Sequence, residues 1–85
     1  LMYHRYSTKS PTGQNNLCGV KIKNYRLYMP EPYSQRMLAD EMQRHGADMD
    51  KNIIQRIESG ERFVTDIELK IFAEVLGITA DELLK

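Results

Sequence analysis

Between Asp50 and Gly60 the chain carries four side chains that can engage fixed hydrogen-bonding groups: Lys51, Asn52, Gln55 and Arg56. Amides and cations of this kind form paired hydrogen bonds with adenine and guanine edges in a major groove that admits one helix. The same residue types also make up an ordinary solvated helix face. Catalytic chemistry has less to stand on. The sequence shows no nucleophile beside a base, no metal-spaced ligand cluster and no phosphate-cradling glycine loop, so neither an enzyme nor a cofactor is expected. Cys18 falls on an apolar face and reads as a small core hydrophobe, and His45 has no companion ligands and reads as a surface histidine.

A helix must position these four residues, and the sequence marks both of its ends. Asp50 is an N-cap whose carboxylate can accept from the first turn, and Gly60 can take the left-handed conformation that stops a helix. Ile53, Ile54 and Ile57 form the apolar stripe of that helix, opposite most of the polar four. Upstream, Cys18, Ile22, Tyr25 and Met29 recur with helical spacing over about 17–29, until Pro30 and Pro32 stop the run. Ser34 caps a second helix that begins at Gln35 and turns Leu38, Ala39 and Met42 inward.

Downstream, Thr65 and Glu68 form a capping box for a helix with Leu69, Phe72, Ala73 and Leu76 on its inner face and Gly77 at its end. Thr79 and Glu82 form a second box, opening a short helix whose Leu83 and Leu84 fold back or join a partner. These caps and periods predict an all-α, compact five-helix bundle over 17–85, preceded by a flexible polar arm over 1–16. Tyr3, Arg5 and Tyr6 give that arm the character of a basic segment suited to a minor groove.

Charge separates the two ends of the chain. Net charge is zero, which counts against nonspecific binding of a polyanion. Yet Arg5, Lys9, Lys21, Lys23, Arg26 and Arg36 face only Glu31 within 1–36, whereas Lys70 and Lys85 are outnumbered within 63–85 by Asp66, Glu68, Glu74, Asp81 and Glu82. The C-terminal end is therefore expected to face away from DNA. No stretch approaches the ~20 apolar residues of a membrane span, and one cysteine excludes an internal disulfide, so a cytoplasmic protein without membrane contact is expected.

From residue 22 onward the chain resembles the Cro and phage-repressor type of helix-turn-helix protein, the XRE family. The resemblance is carried, in order, by IKNYR at 22–26, SQRMLA at 34–39, IQRIESGER at 54–62, FAEVLGI at 72–78 and DELL at 81–84. It implies a lambda-repressor-like DNA-binding bundle, with the Asp50 to Glu58 helix in the major groove of double-stranded DNA. Lys51, Asn52, Gln55 and Arg56 would face bases, and Gln35, Arg36, Ser59 and Arg62 would face phosphates. Arg26 would pair with Glu58, tying the first helix to the end of the reading helix. The resemblance further implies a transcriptional regulator, most simply a repressor acting as a homodimer.

One departure affects the turn. Between Met42 and Asp50 stand about five residues more than the motif commonly has. The simplest accommodation extends the second helix by one turn through Arg44 or His45, closes it at Gly46 and drops Met49 into the core. A protein-interaction module, such as the antitoxin of a toxin-antitoxin pair, is the alternative, favoured by neutral charge and by the altered turn. In that case a protein partner would take the acidic C-terminal surface or the arm.

Overall fold

Helices in this chain begin where a side-chain oxygen takes up the free N–H groups of a first turn. The computed structural model describes residues 13–85. Among them five helices follow one another with no strand: α1 (Gly19–Tyr28), α2 (Gln35–Arg44), α3 (Lys51–Glu58), α4 (Asp66–Leu76) and α5 (Ala80–Leu84). Ser34 Oγ accepts from the Met37 N–H at 3.0 Å, and Asp50 Oδ1 accepts from the Ile53 N–H at 2.8 Å. Thr65 and Glu68 complete the capping box, the hydroxyl accepting from the Glu68 N–H at 3.1 Å and the carboxylate from the Thr65 N–H at 3.0 Å.

Two starts differ from the sequence expectation. Thr79 Oγ1 accepts from the Glu82 N–H at 3.2 Å, but the return bond is missing. The Glu82 carboxylate instead takes the Tyr25 hydroxyl at 3.0 Å and the Lys85 ammonium at 2.9 Å, so a tie between α5 and α1 replaces half of the box. Helix α1 begins at Gly19 and not at Leu17, and Cys18 at its N-cap contributes no side-chain bond. Asn16 does so from outside, its Oδ1 accepting from the Gly19 N–H at 2.7 Å.

The core is assembled from the predicted stripes. Ile22 of α1, Leu38 and Met42 of α2, Ile54 and Ile57 of α3, Phe72 of α4 and Leu83 of α5 are all fully buried. Each large side chain stabilises the bundle through apolar area removed from water, and truncating a buried aromatic such as Phe72 to Ala costs about 3–5 kcal/mol. Leu84 remains exposed, so only one of the two terminal leucines folds back.

The long connection between α2 and α3 follows the predicted accommodation. Helix α2 runs through Arg44, and Gly46 at φ +98° lets the chain reverse, with the Ala47 N–H donating to the Met42 carbonyl at 2.9 Å. Ala47 and Met49 are then buried, and Gln43 Nε2 donates to the Met49 carbonyl to brace the turn. The extra residues thus sit in the core's edge, and the apolar faces of α2 and α3 still meet.

The expected arm divides at residue 13. Residues 1–12, with Tyr3, Arg5 and Tyr6, lie outside the described residues. Asn15 is bound to the loop after α3: its N–H donates to the Gly60 carbonyl at 2.8 Å, and its Nδ2 donates to the Glu61 carbonyl at 2.8 Å. Among the described residues no helix is long and apolar enough to cross a membrane.

Candidate nucleic-acid interface

Helix α3 is short, and its register fixes what it presents. With Asp50 as cap, the apolar spacing turns Ile54 and Ile57 into the core together with Glu58. The opposite face then carries Lys51, Asn52, Gln55 and Arg56, all exposed. Among the described residues, none of these four side chains has a hydrogen-bond or ion-pair partner. Two amides and two cations are therefore available to an outside acceptor or donor.

Beside this face a crevice of about 300 Å³ opens between α2 and α3, lined by Arg36, Asp40, Gln43, Asp50, Lys51 and Asn52 among others. Arg36 is exposed and unpaired among the described residues. Asp40 is likewise exposed and unpaired, which places a carboxylate close to the cations. The crevice is a charge-balanced surface, with two cations facing two carboxylates.

The other end of α3 is anchored by one buried carboxylate. Glu58 receives Arg26 Nε at 2.8 Å and Nη2 at 3.0 Å, while Arg26 Nη1 donates to the Tyr33 carbonyl at 2.9 Å. The pairing inferred from the family resemblance is present, and both partners are buried. Gln35 Nε2 donates to the same Glu58 Oε1 at 3.0 Å, so its amide is turned partly inward instead of lying free at the start of α2. Close approach supports this junction. A Cβ on Gly19 would collide with the Ile57 carbonyl oxygen, so only glycine lets the start of α1 lie against the end of α3.

The loop after α3 holds the remaining two expected phosphate ligands, and both are engaged. Ser59 Oγ donates to the Glu61 carboxylate at 2.8 Å and lies 3.1 Å from the Arg56 carbonyl. Arg62 forms a two-pronged ion pair with Glu68, Nη1 to Oε1 and Nη2 to Oε2 at 3.0 Å each. Burial pushes the Glu68 carboxyl upward, but the bonds from Arg62 and from Thr65 outweigh it and hold the group below the ordinary glutamate value. Burial also pushes the Cys18 thiol up to about 11, leaving an inert thiol in the core, as expected from its apolar face.

Two residues of this surface escape the sequence reading. Asn16 Nδ2 donates to the Ile57 carbonyl at 3.0 Å and to the Arg62 carbonyl at 2.7 Å, pinning the loop to the end of α3. Its signal was an Asn three positions ahead of a helix start, a pattern hidden by the polar composition of the segment. Glu68 was legible as a cap but not as the partner of Arg62. Among the described residues no group of three or more His, Cys, Asp or Glu side chains could hold a metal ion. No protein-family model, curated protein or solved structure matches the chain.

Proposed function

We propose that this chain binds double-stranded DNA sequence-specifically as a transcriptional regulator of the repressor type, with a lambda-repressor-like arrangement of its helices. The observation that carries this is the outer face of α3, where Lys51, Asn52, Gln55 and Arg56 stand exposed and unpaired on a helix whose other face is locked into the core. A helix of this width fits the major groove, where Asn and Gln pair with adenine and Arg and Lys pair with guanine. Arg36 on α2 supplies a phosphate contact from the flank, and the N-terminal turn of α2 adds oriented N–H groups. The backbone contacts set the register, and the α3 side chains set the sequence.

Selection from a randomised duplex library tests this, run at ~150 mM salt so that phosphate-only binding is screened. The wild type is expected to enrich a short motif, and the Asn52→Ala, Gln55→Ala double variant to lose it. Two inverted copies of the motif at fixed spacing would add a homodimer. Failure of the wild type to enrich any motif would count against the proposal.

A protein-interaction module is the second reading, favoured by the balanced charge of the crevice and by exposed Leu17, Val20, Phe63 and Ile67. Recovery of one stoichiometric protein, with no duplex binding at low salt, would support it over the first.

A further inference from the structure

We infer that Glu68 is a positioning residue that aims the Arg62 guanidinium outward; this rests on the DNA-binding reading, in which Arg62 faces a phosphate. Arg26 and Arg62 use different edges of the guanidinium. In arginine, Nε–H and one N–H of Nη2 point the same way and form a side fork, whereas Nη1 and Nη2 share an end fork. Arg26 gives its side fork to Glu58, through Nε and Nη2, and is thereby closed into the core. Arg62 does the opposite. Its end fork meets Glu68 and the second hydrogen of Nη1 meets the Phe63 carbonyl at 3.1 Å.

What is left on Arg62 is the complete side fork, Nε–H and the outer N–H of Nη2, with no acceptor for either among the described residues. Its side chain is 27% exposed, so it is not closed into the core as Arg26 is. Two parallel N–H donors on a guanidinium match two oxygens of one phosphate. The backbone beneath is also held. The Arg62 N–H donates to the Arg56 carbonyl at 3.2 Å, and the Arg62 carbonyl accepts from Asn16 Nδ2 at 2.7 Å. Glu68 cannot swing away easily, because Oε1 also accepts from the Thr65 N–H in the capping box. Main chain and side chain are thus fixed before a phosphate arrives, close to the end of the reading helix.

A competing role for Glu68 predicts the opposite sign, which makes the inference testable. If Glu68 merely masked Arg62, removing its charge would free a cation and tighten binding to a polyanion. As a positioning residue, its loss weakens binding although the protein becomes less negative. The experiment measures Kd for a mixed-sequence 20-base-pair duplex between ~50 and ~200 mM salt. Wild type is compared with Glu68→Gln, Glu68→Asp, Arg62→Lys and Arg62→Gln, each shown to be folded by its melting curve.

Loss of an oriented charge-assisted bond is expected to weaken binding about tenfold in Arg62→Lys and Glu68→Asp, both of which keep the charge. Glu68→Gln, which keeps an oxygen for the cap, is expected to weaken it as well. Arg62→Gln is expected to lower the salt slope by about one unit. In ¹⁵N spectra the Arg62 Nε–H resonance is expected to shift on adding duplex to the wild type, a readout that a purely structural role would leave unmoved. Tighter binding by Glu68→Gln, or wild-type affinity in Arg62→Lys, overturns the inference while leaving DNA binding intact. No duplex binding by the wild type at any salt overturns the DNA-binding reading and this inference together.

Discussion

Glu58 shows how one residue joins stability to presentation. It is the last residue of α3, and it accepts from Arg26 of α1 and Gln35 of α2 in a site closed to water. Replacing Arg26 with Met leaves that carboxylate buried without its counter-charge, held by the Gln35 amide alone, and a loss of about 3–5 kcal/mol is expected in urea denaturation. The Arg26→Met, Glu58→Leu double variant should lose less, because neither charge is stranded. On the outer face the proposed function divides base contacts from backbone contacts. Asn52→Ala is expected to lose roughly 1–3 kcal/mol of discrimination at one base pair. Arg36→Ala should weaken all duplexes alike and reduce the salt slope by about one unit. Identical behaviour of the two variants in a competition assay would contradict this division. The identities of these side chains were plain in the sequence. Their engagement was not, since Gln35, Ser59 and Arg62 all look like free surface groups until the fold supplies Glu58, Glu61 and Glu68 as partners.

Among the helices, caps carried most of the legible signal because they are local. Ser34, Asp50 and Thr65 each bond an N–H three residues on, a distance that the sequence itself spans. The second capping box fails because Lys85 takes one oxygen of Glu82 and Tyr25, 57 positions away, takes the other, and nothing local announces the tyrosine. Asn16 belongs to the same class, since its acceptors at Ile57 and Arg62 lie more than 40 residues away. The α2–α3 connection is the element on which the presentation of α3 depends. Gly46 holds a left-handed conformation there, with nothing within 4 Å of where a Cβ would stand, so Gly46→Ala tests backbone strain alone. A destabilisation of about 1–2 kcal/mol is expected, with α3 still folded by circular dichroism. A neutral outcome would show that the turn can reverse without that conformation.

At the scale of the whole molecule, the number of helices and the apolar stripes were readable because core burial follows period and size. Absolute placement was not, because it rests on side-chain pairs between distant segments. Those pairs also set the response to acid. Glu68 sits below its ordinary value, so the folded state releases its proton more readily than the unfolded state does. Its contribution is therefore full above the ordinary glutamate range near ~4.3, and it declines as pH falls toward the lower folded value. Glu82 is lowered in the same direction by Lys85 and Tyr25. Urea midpoints measured from pH 7 down to pH 3 should fall for the wild type, and Glu68→Gln should start lower and fall less steeply. Parallel curves would remove Glu68 from the acid response.

The proposed function sets DNA against the exposed face of α3. Amide and side-chain shifts recorded while a duplex is titrated into ¹⁵N-labelled protein address it directly, because they need no known operator. The largest changes should fall on the Asn52 and Gln55 side-chain amides, the Lys51–Arg56 backbone and the first turn of α2, with α5 left in place. Shifts confined to α4 and α5, or none at low salt, would contradict the claim and turn attention to a protein partner.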